Sequence, residues 1–218
     1  MIVNERIVDY INTLGKELPP ELLSLEKEAL ENNVPIIKKD TQGLLSFLLQ
    51  VHQPKNILEV GTAIGFSALF MSANTTPDCR ITTIEKVAMR LVEAEKNLND
   101  KRFPNKDKIS LLKGDALVVL KDLVQEKKSY DFIFLDAAKA QYMAFLPELM
   151  KLLQQGGMLV TDNVLQDGTV ANSRYSITRR DRTIHARMRE FLYTITHSEG
   201  LESVILPVGD GVAISYKK

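Results

Sequence analysis

Two short runs, DFIFLDAA and GGMLVTDN, each carry an apolar stretch into an acid: the first ends at Asp136, the second at Asp162 followed by Asn163. Runs of this length and composition read as buried strands, so both acids sit where a strand leaves the core. Two carboxylates and an amide oxygen, with no histidine or cysteine beside them, are ligands for a hard cation such as Mg²⁺, Mn²⁺ or Ca²⁺. Coordination positions left to water or a substrate oxygen would let that cation lower the pKa of a bound hydroxyl. Lys139 lies three residues past Asp136, on the first turn of the next helix. It could act as a general base, steady a substrate oxyanion, or pair with Asp136 as an i,i+3 surface partner. Tyr142 reads as packing.

Three more strand ends carry acids. In ILEVGTAIGFSA, Gly61 and Gly65 allow a tight turn and close approach of a ligand, but the three-glycine spacing that cradles a pyrophosphate is absent, which disfavours a nicotinamide cofactor. Glu59, at the end of that strand, suits the ammonium of an aminoacyl ligand. Glu85 ends ITTIEK, where an acid can accept both hydroxyls of a ribose. Asp115 with Ala116, in LLKGDA, could bracket an adenine, the acid accepting from its exocyclic amine. The alternative for each acid alone is a helix cap. Three consecutive strands presenting acids at their carboxyl ends favour a ligand site, because open α/β sheets bind ligands there.

The elements that must position these groups follow from periodicity. Residues 1–52 read as a helical extension: PPELLSLEKEALENN opens with prolines suited to a first turn, and DTQGLLSFLLQVHQ begins with cap-type residues. Residues 53–218 alternate short apolar runs with helical stretches, the pattern of β-α-β units around a mostly parallel sheet, so the whole chain, 1–218, is expected to be one domain. At the C-terminus ESVILPV and VAISYKK are separated only by GDG, a hairpin connection that makes the last strand antiparallel. Between Asp162 and Gly200 a polar, arginine-rich stretch reads as a surface loop followed by a helix.

With 218 residues and 44% hydrophobic content, the chain can bury one substantial core. Lysine plus arginine equals aspartate plus glutamate, 28 against 28, so no global field attracts a polyanion and any such partner must be held by a local patch. The lone Cys79 rules out an internal disulfide and a multi-cysteine zinc site. No run approaches the roughly 20 apolar residues of a membrane span, and the first residues lack a signal-peptide core. A soluble cytoplasmic protein without membrane contact is expected.

Taken together, ILEVGTAIGFSA, TTIEK, GDA, DFIFLDAAKAQY, LVTDNVL and PVGDGVAIS resemble, in that order, the cation-dependent O-methyltransferases of the catechol and caffeoyl-CoA type that use S-adenosylmethionine. The likeness runs from about Val34 to the C-terminus. Within that group NNVPII, DAAKAQY and the RRDRTIHARMREF helix look most like the bacterial tRNA 5-hydroxyuridine methyltransferases, which make 5-methoxyuridine at the wobble position; enzymes acting on small vicinal-hydroxyl compounds share the same catalytic motifs. The resemblance implies a Rossmann-like seven-stranded sheet ordered 3-2-1-4-5-7-6 with strand 7 antiparallel and helices on both faces. It places S-adenosylmethionine against Ile37, Gly61, Ser67, Glu85, Asp115, Ala116 and Asp136, and Mg²⁺ or another hard cation on Asp136, Asp162 and Asn163. It also implies a homodimer. A tRNA substrate would need a local basic surface, and Arg174, Arg179, Arg180, Arg182, Arg187 and Arg189 form the obvious cluster, a solvated helix face being the alternative.

Overall fold

The structure, a computed structural model, describes residues 2–104 and 106–218. Three helices lead in: α1 (Glu5–Leu14), α2 (Pro20–Glu31) and α3 (Lys39–His52). Prolines 19 and 20 set the entry to α2, where missing N–H groups cost nothing, and α3 stops at Gln53, which turns left-handed (φ 49°) just before Pro54. From there strands and helices alternate: β1 (Asn56–Val60), α4 (Phe66–Ala73), β2 (Arg80–Glu85), α5 (Ala88–Leu98), β3 (Ile109–Lys113), α6 (Ala116–Gln125), β4 (Tyr130–Leu135), α7 (Tyr142–Leu152) and β5 (Leu153–Thr161). The chain closes with α8 (Arg182–His197), β6 (Leu201–Leu206) and β7 (Val212–Lys217). None of the helices is long and apolar enough to cross a membrane among the described residues.

The strand order is β3-β2-β1-β4-β5-β7-β6, with β1 to β5 parallel and β7 antiparallel to both neighbours, as the resemblance implies. The strand period of two sends alternate side chains to opposite faces. Leu58, Val60, Ile133 and Leu135 pack with Phe145, Leu149 and Phe191 from α7 and α8, whereas Ile57, Phe132 and Phe134 pack with Leu25, Leu45, Leu49 and Phe70 from α2, α3 and α4. Both faces of the central strands are therefore dry, which is why β1 and β4 read as nearly continuous apolar runs. Two local expectations change. The link between β6 and β7 spans 207–211 rather than GDG alone, because Pro207 lacks the N–H a strand would use and β6 ends before it. Lys139 lies on a separate 3₁₀ turn, Lys139–Gln141, ahead of α7.

The carboxyl rim of the sheet is laced by backbone hydrogen bonds beyond the strands. Asp162 N donates to Leu135 O at 3.0 Å, Asp136 N to Val60 O at 3.0 Å, Gly61 N to Ile84 O at 3.1 Å and Gly114 N to Glu85 O at 2.9 Å. Each residue leaving a strand is thereby fixed against its neighbour. The lacing forces a close approach at the switch point between β1 and β4: a Cβ on Gly61 would stand 2.0 Å from Asp136 O, and its φ of +108° is left-handed besides. Gly61→Ala is expected to cost about 2–4 kcal/mol, combining the positive-φ penalty with overpacking. A urea midpoint equal to that of the wild type would contradict this packing.

Candidate active site

A cleft of about 840 Å³ opens above this rim, at the carboxyl ends of the strands where the order reverses. Its walls include Gly61, Ser67, Glu85, Asp115 and Ala116 from the first three β-α units, Asp136 and Lys139 beyond β4, Asp162 and Asn163 beyond β5, and Ile37 from the extended segment between α2 and α3. Most residues expected from the sequence thus share one cavity. Glu59 and Gly65 do not reach its wall. Gly65, at φ +87°, forms the N-cap of α4, while Glu59 is fully buried, its carboxyl against Thr83 and Ser67.

The acids are held in different ways. Glu85 is saturated by main-chain donors: Oε2 accepts from Ala63 N at 2.9 Å, and Oε1 from Lys86 N at 2.8 Å and Val87 N at 2.9 Å. The carboxylate is pinned at the rim with lone pairs still available to a ligand hydroxyl. Asp115 caps α6, accepting from Leu117 N at 3.0 Å, and pairs with Lys86 at 3.3 Å; Lys86 first and the amide second hold its pKa below the usual range. Capping and cleft lining are therefore both true of Asp115, and the two readings of its sequence do not compete.

Glu59 is the outlier. Thr83 Oγ1 donates to Oε2 at 2.5 Å and accepts in turn from Thr62 Oγ1, whereas Oε1 has no hydrogen-bond partner among the described residues. Burial dominates and raises its pKa to about 7, against the lowering effect of Ser67 and Thr83; the charges of Asp136 and Glu85 add to the rise. An orphan carboxyl oxygen buried behind Ser67, which itself lines the cleft, favours a cationic group of a ligand on the cleft side of that serine.

At the other end, burial raises Asp136 to about 6 and Asp162 to about 7, and the charge of Asp136 pushes Asp162 up further. Lys139 acts on both in the opposite direction. Two partly desolvated carboxylates that oppose each other's ionisation form a site that a cation would relieve. Asn163 completes the set of hard oxygen donors; it sits at φ +58° with its N–H on Asp162 Oδ1 at 2.7 Å, a left-handed conformation uncommon outside glycine. No cluster of three or more histidine, cysteine or acidic side chains is found among the described residues, so a cation here depends on the amide as the third donor. Tyr142 is buried against Phe191 and donates to Asp162 O at 3.2 Å; burial and both carboxylates hold its phenol well above its ordinary pKa, so it steadies the strand end as a donor.

Sequence reasoning missed Asp210 and Lys38. Asp210 lines the cleft, its charge acts on Asp136 and Asp162, and it pairs with Lys38 Nζ at 2.7 Å. Its place in GDG explained it locally as a turn residue; the approach of that turn to Asn163–Gln166 is a tertiary fact. The arginine cluster also divides. Arg182 Nε donates to Ile177 O at 3.2 Å, Arg187 Nη1 to Ala140 O at 2.8 Å and Arg189 Nη1 to Val170 O at 3.3 Å, so these three hold main chain. Arg174, Arg179 and Arg180 are exposed, as Arg187 and Arg189 also are, but make no such main-chain bond among the described residues.

Glu59 sets a pH signature. Its folded pKa of about 7 lies above the ordinary 4.5, so the folded form keeps a proton that the unfolded chain releases, and the stability this group contributes below pH 4.5 is lost as pH rises through about 7. In ligand-free protein, Glu59→Gln removes that loss. The melting temperature of the variant relative to wild type is expected to climb between pH 5 and pH 8; a constant difference would contradict the buried, protonated carboxyl.

Residues 15–218 match the family model described as O-methyltransferase. The catechol O-methyltransferase of Niastella koreensis is 30% identical over 98% of this chain and 97% of its own length, and the tapetum-specific methyltransferase 1 of Arabidopsis thaliana is 30% identical over 92% and 84%. The O-methyltransferase from Bacillus cereus, solved in complex with SAH, superposes with a TM-score of 0.85 at 24% identity over 98% of this chain and 97% of that one, a likeness of fold. With a laced carboxyl rim, a switch-point cleft and a family match that spans nearly its whole length, the chain belongs to the O-methyltransferase family.

Proposed function

We propose that this chain transfers the methyl group of S-adenosylmethionine to a hydroxyl whose neighbouring carbon carries a second oxygen, and that the acceptor is 5-hydroxyuridine at the wobble position of tRNA, giving 5-methoxyuridine. The observation that carries the reading is the opposed pair Asp136 and Asp162, with Asn163 and Lys139, at one end of a cleft whose other end presents Glu85 and Asp115. When bound, the sulfonium supplies an electrophilic methyl and a hard divalent cation favours the oxyanion of the acceptor. Asp136, Asp162 and Asn163 would hold that cation. Glu85 would accept from the ribose hydroxyls, Asp115 and Ala116 would bracket the adenine, and Ile37 would supply an apolar wall. Glu59, through Ser67, would face the aminoacyl end. Lys139 takes the hydroxyl proton as the oxygen–methyl bond forms and the sulfur–methyl bond breaks. Orientation and fixed charge supply most of the acceleration in such a site.

The tRNA reading is supported by Arg174, Arg179 and Arg180, exposed on the segment that leads into α8, whose Ile184 lines the cleft. It would place the enzyme in the cytoplasm. A small catechol is the second reading, favoured by the similarity to the Niastella enzyme. Exposed Ile7, Tyr10, Ile11 and Leu14 on α1 and Phe47 and Val51 on α3 support a homodimer.

The test is methyl transfer to tRNA carrying 5-hydroxyuridine, read by nucleoside mass spectrometry. Excess chelator is expected to abolish 5-methoxyuridine and Mg²⁺ to restore it; full turnover in chelator would remove the metal. Changing Arg174, Arg179 and Arg180 together to alanine is expected to lower tRNA methylation at least about ten-fold at moderate salt and to flatten its salt dependence by up to about 0.7–0.9 units of slope per lost phosphate contact, while catechol turnover is unchanged. Efficient catechol turnover with no tRNA methylation at low salt would replace the first reading by the second.

A further inference from the structure

Tyr175 is 92% exposed, an apolar ring left in water between basic residues. It does not sit on a loose loop. The 3₁₀ turn Arg174–Ser176 is capped by Ser173, whose hydroxyl accepts from Tyr175 N at 3.4 Å, and Ser176 Oγ returns to Ser173 O at 2.7 Å. Ile177, the next residue, is buried and anchors the exit of the turn. Helix α8 grips the backbone on either side: buried His185 bonds Asn172 O through Nε2 at 3.1 Å, Arg182 holds Ile177 O and Arg189 holds Val170 O. A carbonyl only accepts, so His185 carries its proton on Nε2. The ring is therefore presented from a fixed main chain.

Arg174 adjoins it, Arg179 and Arg180 follow at the turn before α8, and the acid nearest in sequence, Asp181, is engaged by Thr178 Oγ1 at 2.6 Å. Three exposed arginines within five residues of an exposed aromatic ring complement a strand that offers phosphates and unstacked bases together. Resting on the tRNA reading above, we propose that Tyr175 is a stacking platform for an unpaired base of the anticodon loop beside the target nucleotide, with Arg174, Arg179 and Arg180 on the flanking phosphates. In this arrangement the buried and carbonyl-bound residues of α8 serve to hold the platform rather than to touch RNA. A paired stem offers no open base face, so the occupant is a single-stranded loop. A small catechol has no use for this surface.

Stacking and charge leave different signatures. Counterion release makes the phosphate contribution steeply salt-dependent, whereas an uncharged ring contributes without altering the slope. The experiment measures Kd by fluorescence anisotropy for an anticodon stem-loop RNA against the full-length protein at several salt concentrations. Tyr175→Ala is expected to weaken binding about ten-fold at every salt concentration with the slope of log Kd unchanged, and Tyr175→Phe, which keeps the ring, to stay within about two-fold of wild type. Arg179→Ala and Arg180→Ala should lower the slope instead. Cofactor affinity and the elution volume on gel filtration report whether each variant is intact. Wild-type affinity in Tyr175→Ala would overturn the platform, as would Phe behaving like Ala or Tyr175→Ala changing the oligomeric state. If wild-type protein methylates such RNA and Tyr175→Ala binds and methylates it as well as wild type, only the platform fails. If wild-type protein neither binds nor methylates it at low salt, the tRNA reading fails and the platform with it.

Discussion

Four carboxyl groups, Glu59, Glu85, Asp136 and Asp162, converge at the carboxyl edge of one sheet, where little water remains to solvate them. A low-dielectric setting does not tolerate that much negative charge without compensation, and the local structure follows from how each group is compensated. Glu85 accepts from three main-chain N–H groups, a device that needs the chain to wrap around it from both β1 and β2. Glu59 has two hydroxyls near it and keeps its proton to about pH 7. Asp136 and Asp162 are less well compensated: one main-chain N–H, that of Asn163, reaches Asp162, and burial pushes both pKa values up, to about 6 and about 7. They oppose one another, and Lys139 offsets them only in part.

That unresolved pair is where chemistry can be placed, and the sheet topology explains its location. The order reverses between β1 and β4, so the helices that follow these strands leave on opposite faces and open a crevice between them. The rim lacing then fixes the backbone of each strand-end residue, so that Asp136 and Asp162 cannot move apart to relieve their repulsion. Gly61 admits the approach; Tyr142 locks the far side by donating to Asp162 O. The same logic of fixed main chain recurs in α8, where Arg182, Arg187 and Arg189 hold carbonyls of three separate segments. Arg187 in particular ties α8 to the short turn that carries Lys139.

Much of this was legible in the sequence because its determinants are local. Burial on both faces makes the central strands near-continuous apolar runs, and an acid at the end of such a run emerges at the sheet rim, which makes Glu85, Asp136 and Asp162 legible. What was not legible depended on tertiary approach. Glu59 looks like any other strand-end acid, but it is the fourth residue of the five-residue β1, one residue short of the strand end and fully buried, which removes it from the cleft wall. Asp210 was hidden by a sufficient local explanation as a turn residue. The six arginines look alike in the sequence, as a basic surface or a solvated helix face, because a guanidinium bound to a carbonyl and one left in water have the same sequence signature.

The proposed chemistry depends on Asp136 and Asp162 being a pair that a hard cation completes with Asn163. Its most direct measurement needs no substrate: Mn²⁺ is titrated into ligand-free protein near pH 7.5 and the unbound ion is read by electron paramagnetic resonance. The expected result is one site per chain, abolished when Asp136 and Asp162 are both changed to asparagine while the circular dichroism spectrum is kept. Wild-type protein that takes up no Mn²⁺, or a double variant that binds it as tightly as wild type, would contradict the account.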